Sequence, residues 1–254
     1  MLRHIYIETV VECRFSYTYI CIFIPFDLGA NMVGPTFSVD MNKPLAFQVG
    51  HLGEAYDEWV HQPIVAKESP RFFHNDFIER FTRTPWWVVP LFWLPIVWWL
   101  VSSKNGSHLV VAGGGVLLFS LLEYCLHRFL FHFKTTTYWG NTVHYILHGC
   151  HHKHPMDHLR LVLPPPLAAL FIITFWYITK LFIAEPYLSA LIGGELLGYI
   201  IYDCTHYHLH HAKSFTPLLL KKRYHMSHHF RIHEKGFGVT TTFWDWVFGT
   251  LPSD

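Results

Sequence analysis

The chain has 254 residues, a formal net charge of +1 and a charged fraction of only 15%. That length allows one large domain, and so weak a net charge gives no electrostatic basis for binding nucleic acid. Hydrophobic residues make up 51% of the sequence, and the five cysteines lie mostly in or beside apolar runs, which argues against a secreted disulfide framework.

The chain begins with a segment, residues 1–31, that differs from the rest. It contains a short apolar run, "YTYICIFIPF", and a second methionine follows it at Met32. We expect this extension to be disordered and to come from an upstream start site. Residues 32–85 are mainly polar and are predicted to form a cytosolic N-terminal segment, and residues 86–251 a membrane domain.

Four apolar blocks occupy residues 86–101, 109–126, 167–184 and 187–202, and each holds 16 to 18 residues. A membrane-spanning helix needs about 17–25 such residues. Only "SSKNGSH" separates the first two blocks and only "EP" the last two, which favours two helical hairpins. The alternative is that the blocks are buried helices of a water-soluble protein, but the Trp-rich flanks of the first block are typical of a membrane interface.

The distribution of Lys and Arg predicts the orientation of the hairpins. These residues precede the first block, lie between the second and third, and follow the fourth, whereas the two hairpin tips carry only Lys104. By the positive-inside rule, both termini and the middle segment share the cytosolic side. Glu123 and Glu195 fall inside apolar blocks, where a carboxyl group serves either function or helix pairing.

Histidine is the most informative residue type, because 16 of the 21 histidines lie between His127 and His233, in clusters that follow the apolar blocks. His148, His151 and His152 have the spacing HxxHH, which puts all three on one helix face, and "HMSHH" at His225 repeats it. His206 and His210 are four residues apart. His127 and His132 are five apart and would meet only if their helix ended or loosened between them.

Ten imidazoles on one side of a membrane are too many for one metal ion and suit two. The predicted ligands are His127, His132, His148, His151, His152, His206, His210, His225, His228 and His229. His144, His154, His158 and His233 do not fit these pairs and are expected to be supporting or surface residues.

The residue types leave the metal open, because imidazole binds iron, zinc, copper and nickel. The absence of HExxH disfavours a zinc peptidase, and the absence of Cys pairs disfavours a structural zinc ribbon. Glu123, Asp157 and Asp203 each lie close in sequence to a proposed ligand and are candidates to accept its free ring N–H. Tyr202 and Asp203 share a helix face with His206 and are expected at the membrane boundary.

Long strings of the chain resemble the fatty acid hydroxylase superfamily, and in particular its sphingolipid fatty acid 2-hydroxylases. They include "GHLGEAYDEWVHQP", "EYCLHRFLFH", "HGCHHKHPMDHLRLVLPP", "GYIIYDCTHYHLHHA" and "KKRYHMSHHFRIHEKGFGVTTTFWDWVFGTLP". The resemblance runs from about Met32 to Leu251. It implies an all-α integral membrane protein with four transmembrane helices in two hairpins and a cytosolic helical cap that holds a dimetal centre.

The resemblance also implies the chemistry. The family's ligand pattern falls on the same ten histidines and implies two iron ions, although zinc suits the same ligands. The implied reaction uses O2 to hydroxylate C2 of very long acyl chains of dihydroceramide or ceramide, or of their fatty acids, in the endoplasmic reticulum membrane. The lipid headgroup is expected near Tyr202 and Asp203, which are the candidate catalytic residues.

Electron supply is expected to come from other proteins. Some relatives carry a fused cytochrome b5 domain with the motif HPGG, which this sequence lacks. We therefore expect a separate cytochrome b5 and its reductase as partners. Two other functions stay open at this point: a desaturase or sterol oxidase with a similar histidine set, and a metal transporter or buffer.

Overall fold

The structure is a computed structural model that describes residues 37–66, 69–102, 106–212 and 216–252. The extension 1–31 lies outside these residues. In the described ranges the regular structure is helical, as the sequence predicts. The α-helices are α1 (Tyr56–Val60), α2 (Asp76–Phe81), α3 (Val88–Val101), α4 (Gly106–Cys125), α5 (Tyr138–His144), α6 (Cys150–Lys153), α7 (Pro165–Lys180), α8 (Tyr187–His211), α9 (Thr216–Phe230) and α10 (Phe243–Val247). A 3-10 helix covers Val49–Ala55, and π-helical segments cover Leu126–Phe131 and Tyr145–Gly149.

Helix α8 is the central element, because it packs along both α3 and α4. Its residues 188, 192, 196 and 200 recur every four positions and are buried in the main apolar core. Val89, Trp93 and Val97 of α3 have the same spacing and lie in that core. The matching periods give each helix one continuous apolar stripe, so the two pack along their length.

Glycines bring α4 and α8 into backbone contact. A Cβ atom added to Gly194 of α8 would lie 1.9 Å from the carbonyl oxygen of Ala112, and one added to Gly115 of α4 would lie 2.3 Å from that of Leu191. No larger residue fits either position without moving a helix. Small residues of this kind are typical of helix contacts in membranes, where close approach maximises dispersion and weak hydrogen bonding.

The four predicted apolar blocks each fall on one helix, α3, α4, α7 or α8. By length and composition, one continuous helix in the described residues, Gly106–Phe131, can cross a membrane, while Val88–Val101 and Pro165–Lys180 are shorter apolar helices. Helix α8 continues beyond its apolar block, and its last turns carry His206 and His210. The predicted hairpin partners α3 and α4 pack mainly on α8 and touch each other little.

The predicted N-terminal segment packs on the histidine-bearing part of the chain. Leu45, Tyr56 and Phe72 form a second buried core around Tyr145. Beside it, the Arg160 side chain is buried between the carboxylates of Glu79 and Asp157. The segment before the first apolar block is therefore part of the wall around the site, whereas its assignment as a separate domain stays a prediction.

Candidate metal centre

The ten predicted ligands meet in two groups of five. In each group, one side-chain nitrogen per histidine lies within 4.8 Å of the corresponding nitrogens of the others. We call them the first and the second histidine group. The first comprises His127, His132, His148, His152 and His228, and the second His151, His206, His210, His225 and His229.

Each HxxHH motif contributes to both groups. His148 and His152 belong to the first group, while His151 between them belongs to the second. The motif on α9 has the opposite division, since His225 and His229 join the second group and His228 the first. In each motif, the histidines at i and i+4 therefore belong to one group and the histidine at i+3 belongs to the other. The two groups are thus connected through both helices.

A π-helical segment solves the spacing problem of His127 and His132. The segment Leu126–Phe131 continues α4, and the His132 amide donates to the His127 carbonyl, an i to i+5 hydrogen bond of 3.1 Å. The wider turn places residues five apart on one face, so both imidazoles enter the first group. The sequence-based condition, a helix that loosens between the two histidines, is confirmed.

The nitrogen separations fit metal coordination. In the first group the Nε2 atoms of His127 and His148 lie 3.1 Å apart, and those of His152 and His132 lie 3.0 Å apart. In the second group the Nε2 atoms of His210 and His225 lie 2.8 Å apart. Nitrogens bound at about 2.1 Å from one metal ion, at right angles to each other, are about 3 Å apart. The donor set therefore fits one metal ion in each group.

The surroundings keep these imidazoles neutral, which is the form that binds metal. Burial lowers the pKa of His151 to about 3. Burial, followed by the repulsion of neighbouring imidazoles, holds the pKa of His148, His152 and His229 well below its ordinary value. The charged form is disfavoured because the loss of solvation on burial outweighs nearby negative charge, as at His127, where the Asp245 carboxylate does not offset it.

Backbone carbonyls, and not carboxylates, orient two of the ligands. The Nδ1 atom of His127 is 2.5 Å from the carbonyl oxygen of Phe237, and that of His228 is 2.7 Å from the carbonyl oxygen of Lys235. The predicted acceptors have other partners. Glu123 accepts from the amides of residues 239 and 240, Asp157 from Ser69 and Arg160, and Asp203 from the amide of Leu163. Their expected role as direct orienters is therefore wrong.

Two histidines that the spacing did not select, His61 and His233, lie next to the first group. His61 stacks on His233 with ring centroids 3.7 Å apart, and its ring centroid is 5.1 Å from that of His152. Asp57, one turn before His61, completes this outer cluster. The motif "YDEWVHQP" contains Asp57 and His61. His61 is a single histidine far from the others in sequence, so it gave no spacing to interpret.

The four histidines that were left out of the ligand set have different surroundings. The Nδ1 atom of His144 is 2.6 Å from the hydroxyl of Tyr56, and His144 is buried. His154 is also buried, whereas His158 is exposed. His144 and His233 thus lie outside both histidine groups, and His158 is a surface residue. A supporting role for His144, His154 and His233 stays a prediction.

An apolar cavity of about 440 Å³ reaches both histidine groups. Phe171 and Phe175 of α7 are among its lining residues, and so are His148, His151 and His206. Tyr202 and Asp203 also line the cavity, and the Tyr202 ring stacks on His206 with centroids 5.6 Å apart. A long apolar chain in this cavity would lie beside nitrogens of both groups.

Comparison with known proteins identifies fatty acid hydroxylases as relatives of this chain. The fatty acid hydroxylase family matches residues 112–250. The dihydroceramide fatty acyl 2-hydroxylase FAH1 of Arabidopsis thaliana is 55% identical over 229 residues, covering 87% of this chain and 97% of the relative. The ceramide very long chain fatty acid hydroxylase SCS7 of Saccharomyces cerevisiae is 40% identical, covering 84% of this chain and 58% of the relative.

A solved structure has the same fold. It is full-length scs7p, of which only the hydroxylase domain is visible. The TM-score is 0.80 at 37% sequence identity, and the match covers 85% of this chain and 86% of that one.

Proposed function

The chain belongs to the fatty acid hydroxylase family, and from this premise we propose that it is an O2-dependent di-iron 2-hydroxylase of sphingolipid acyl chains. Its substrates are the very long acyl chains of dihydroceramide or ceramide, or their fatty acids. The observation that carries the proposal is the apolar cavity whose lining includes histidines of both groups. The relatives named as dihydroceramide and ceramide hydroxylases support the choice of substrate.

The reaction replaces one C–H bond at C2 with a C–OH bond. One oxygen atom of O2 enters the product, and the other leaves as water after two electrons and two protons are added. Acid–base chemistry alone cannot make this change, because removing a proton from C2 neither oxidises the carbon nor adds oxygen, and a bound di-iron centre would supply the O2 activation that the step needs. Iron is our choice within a donor set that also accepts zinc.

The residues of the chain would hold the metals and position the substrate. The ten histidines would bind the two ions through neutral imidazoles. Phe171 and Phe175 would contact the acyl chain and exclude water from the reacting carbon. Tyr202 and Asp203 would contact the polar part of the lipid, because they line the cavity next to His206.

We further propose four membrane spans arranged as two hairpins, with both termini and the histidine site on the cytosolic side of the endoplasmic reticulum membrane. Large apolar side chains on the outer faces of the long helices support this, for example Trp98 and Trp99, which are 75% and 73% exposed. The electrons would come from a cytochrome b5 and its reductase on that same side.

The test is sphingolipid analysis of cells that lack their own 2-hydroxylase. We expect the intact chain to restore 2-hydroxy sphingolipids and the His148→Ala variant to restore none, because His148 belongs to the first group. His158→Ala is the matched control and should behave as the intact chain, since His158 is exposed and outside both groups.

Three outcomes contradict the proposal. An alkene in the acyl chain or an oxidised sterol as the product of the intact chain indicates a desaturase or a sterol oxidase. Metal uptake with no O2-dependent product indicates a transporter. Unchanged lipids with the intact, expressed chain rule out the 2-hydroxylase.

A further inference from the structure

A short C-terminal segment, residues 235–240, supplies both carbonyl groups that orient histidines of the first group. We call it the strap. The Lys235 carbonyl contacts His228 and the Phe237 carbonyl contacts His127. Neither histidine of this pair belongs to the second group. The position of the strap therefore determines two ring orientations in one site only.

The strap is held from one side by Asp245 of α10. This carboxylate is fully buried, and its Oδ1 accepts from the Phe237 amide at 3.0 Å while its Oδ2 accepts from the Gly238 amide at 2.8 Å. The Thr250 hydroxyl donates to Oδ1 at 2.7 Å. Gly238 has no room for a side chain, because a Cβ atom would lie 2.1 Å from the carbonyl oxygen of Thr241. Both carboxylate oxygens are thus occupied as acceptors against a tightly packed backbone.

The strap is held from the other side by Glu123 of α4. Its Oε1 accepts from the amides of Val239 and Thr240 at 2.7 and 2.8 Å, and its Oε2 contacts the Thr240 hydroxyl. Four consecutive amides, from Phe237 to Thr240, therefore donate to two buried carboxylates. A buried backbone amide that loses its acceptor costs about 1–3 kcal/mol, so the strap is fixed only while both carboxylates accept.

We propose that Asp245 and Glu123 are positioning residues that act on the first metal site alone, through the strap carbonyls. The second group receives no such contact from the strap among the described residues. His151, His225 and His229 have buried Nδ1 atoms without a protein partner there. The two sites are therefore inequivalent, and the metal in the first depends on a segment that the second does not use. The inference rests on the proposed function in taking both groups to bind metal.

The test measures bound metal in the purified, metal-loaded protein in detergent. Asp245→Asn keeps the size of the side chain but replaces one acceptor with an NH2 group that faces the amide of the strap. We expect metal affinity at the first site to fall about 10–100-fold, the usual effect of losing a partner that orients a ligand. After dialysis against a chelator, the metal content should fall from two ions per chain to one.

Double variants identify the site that loses its ion. Asp245→Asn combined with His148→Ala should still bind one ion, because both changes affect the first site. Asp245→Asn combined with His229→Ala should bind none. Glu234→Gln is the control next to the strap, since Glu234 is exposed and its ion pair is with the exposed Lys134, and it should retain both ions.

The proposal is overturned if Asp245→Asn retains two ions under the chelator, or if both ions leave together. If Asp245→Asn does not fold, Thr250→Val, which removes one hydrogen bond to Asp245, is measured in the same way and must weaken the first site alone. An intact protein that never binds two ions would contradict the proposed metal centre instead of the role of the strap.

Discussion

His151 and His152 are neighbours in sequence and belong to different histidine groups. The separation follows from helix geometry, because adjacent residues on a helix point about 100° apart while residues four apart share a face. Each of the two HxxHH motifs thus supplies ligands to both histidine groups. A substitution at either residue affects one metal ion directly and the other through their common helix.

The buried imidazoles predict how the protein responds to acid. Burial lowers the pKa of His151 to about 3 and that of His144 to about 4, both below the ordinary value of 6.5. The unfolded chain therefore binds more protons than the folded chain between those values and 6.5. Stability is fully present above about pH 6.5 and declines as the pH falls toward the folded-state pKa. Protons also compete with metal for the same nitrogens.

We expect the melting temperature of the purified protein to fall as the pH drops below about 6.5, and the metal content to fall with it as the pH approaches the folded-state pKa of about 3 of the ligand His151. Elemental analysis after dialysis at each pH, beside thermal unfolding monitored by circular dichroism, measures both. Full retention of metal together with an unchanged melting temperature after dialysis at about pH 3 would show that the proposed ligands do not titrate in this way.

At the scale of elements, the contact between α4 and α8 fixes the position of the second histidine group. His206 and His210 lie on the last turns of α8, so any displacement of α8 from α4 moves them relative to His151. Gly115 and Gly194 allow the two backbones to touch. Packing in the apolar part of the helix pair therefore determines geometry at its histidine end.

The Gly194→Ala substitution tests this contact. The added methyl group would lie 1.9 Å from the Ala112 carbonyl oxygen, so the helices must separate. Overpacking of this kind costs about 1–3 kcal/mol of the free energy of unfolding. Gly113→Ala is the matched control on α4, since its Cβ atom meets nothing within 4 Å. Equal melting temperatures for the two variants would contradict the packing argument.

At the scale of the whole molecule, a buried charge network connects the N-terminal segment to the histidine-bearing part of the chain. Arg160 pairs with Glu79 of α2 and with Asp157 at 3.3 Å, and its guanidinium lies 4.1 Å from the centre of the Phe72 ring. The residues between Glu79 and Arg160 include the whole first predicted hairpin. The network therefore joins two segments far apart in sequence on one side of the site.

Removing the Arg160 charge should lower the free energy of unfolding by more than the loss of its buried surface area suggests. Arg160→Met leaves Glu79 and Asp157 buried without their cation, and breaking a buried pair from one side costs about 3–5 kcal/mol. Arg71→Met is the control, because the Arg71–Asp76 pair is exposed and such pairs contribute less than about 1 kcal/mol. Denaturant unfolding in detergent measures both, and an equal loss in the two variants would refute a special role for Arg160.

Features that depend on local spacing were predictable from the sequence. Apolar runs of 16 to 18 residues indicated the positions of four long helices, and the two HxxHH motifs with two further histidine pairs selected the ten histidines that the structure brings together. Both signals survive because an amphipathic or apolar helix has the same period wherever it packs. The resemblance to a known family added the reaction, which the comparisons support.

The tertiary structure alone decided how the ten histidines divide between two groups and what orients them. The strap carbonyls that contact His127 and His228 are backbone atoms, so no side chain in the sequence marks them. Likewise, His61 and His233 are 172 positions apart along the chain, and only packing stacks their rings. Spacing along a chain specifies which residues share a helix face. Contacts between residues on different helices depend on the angle and distance at which the helices pack, which no local period encodes.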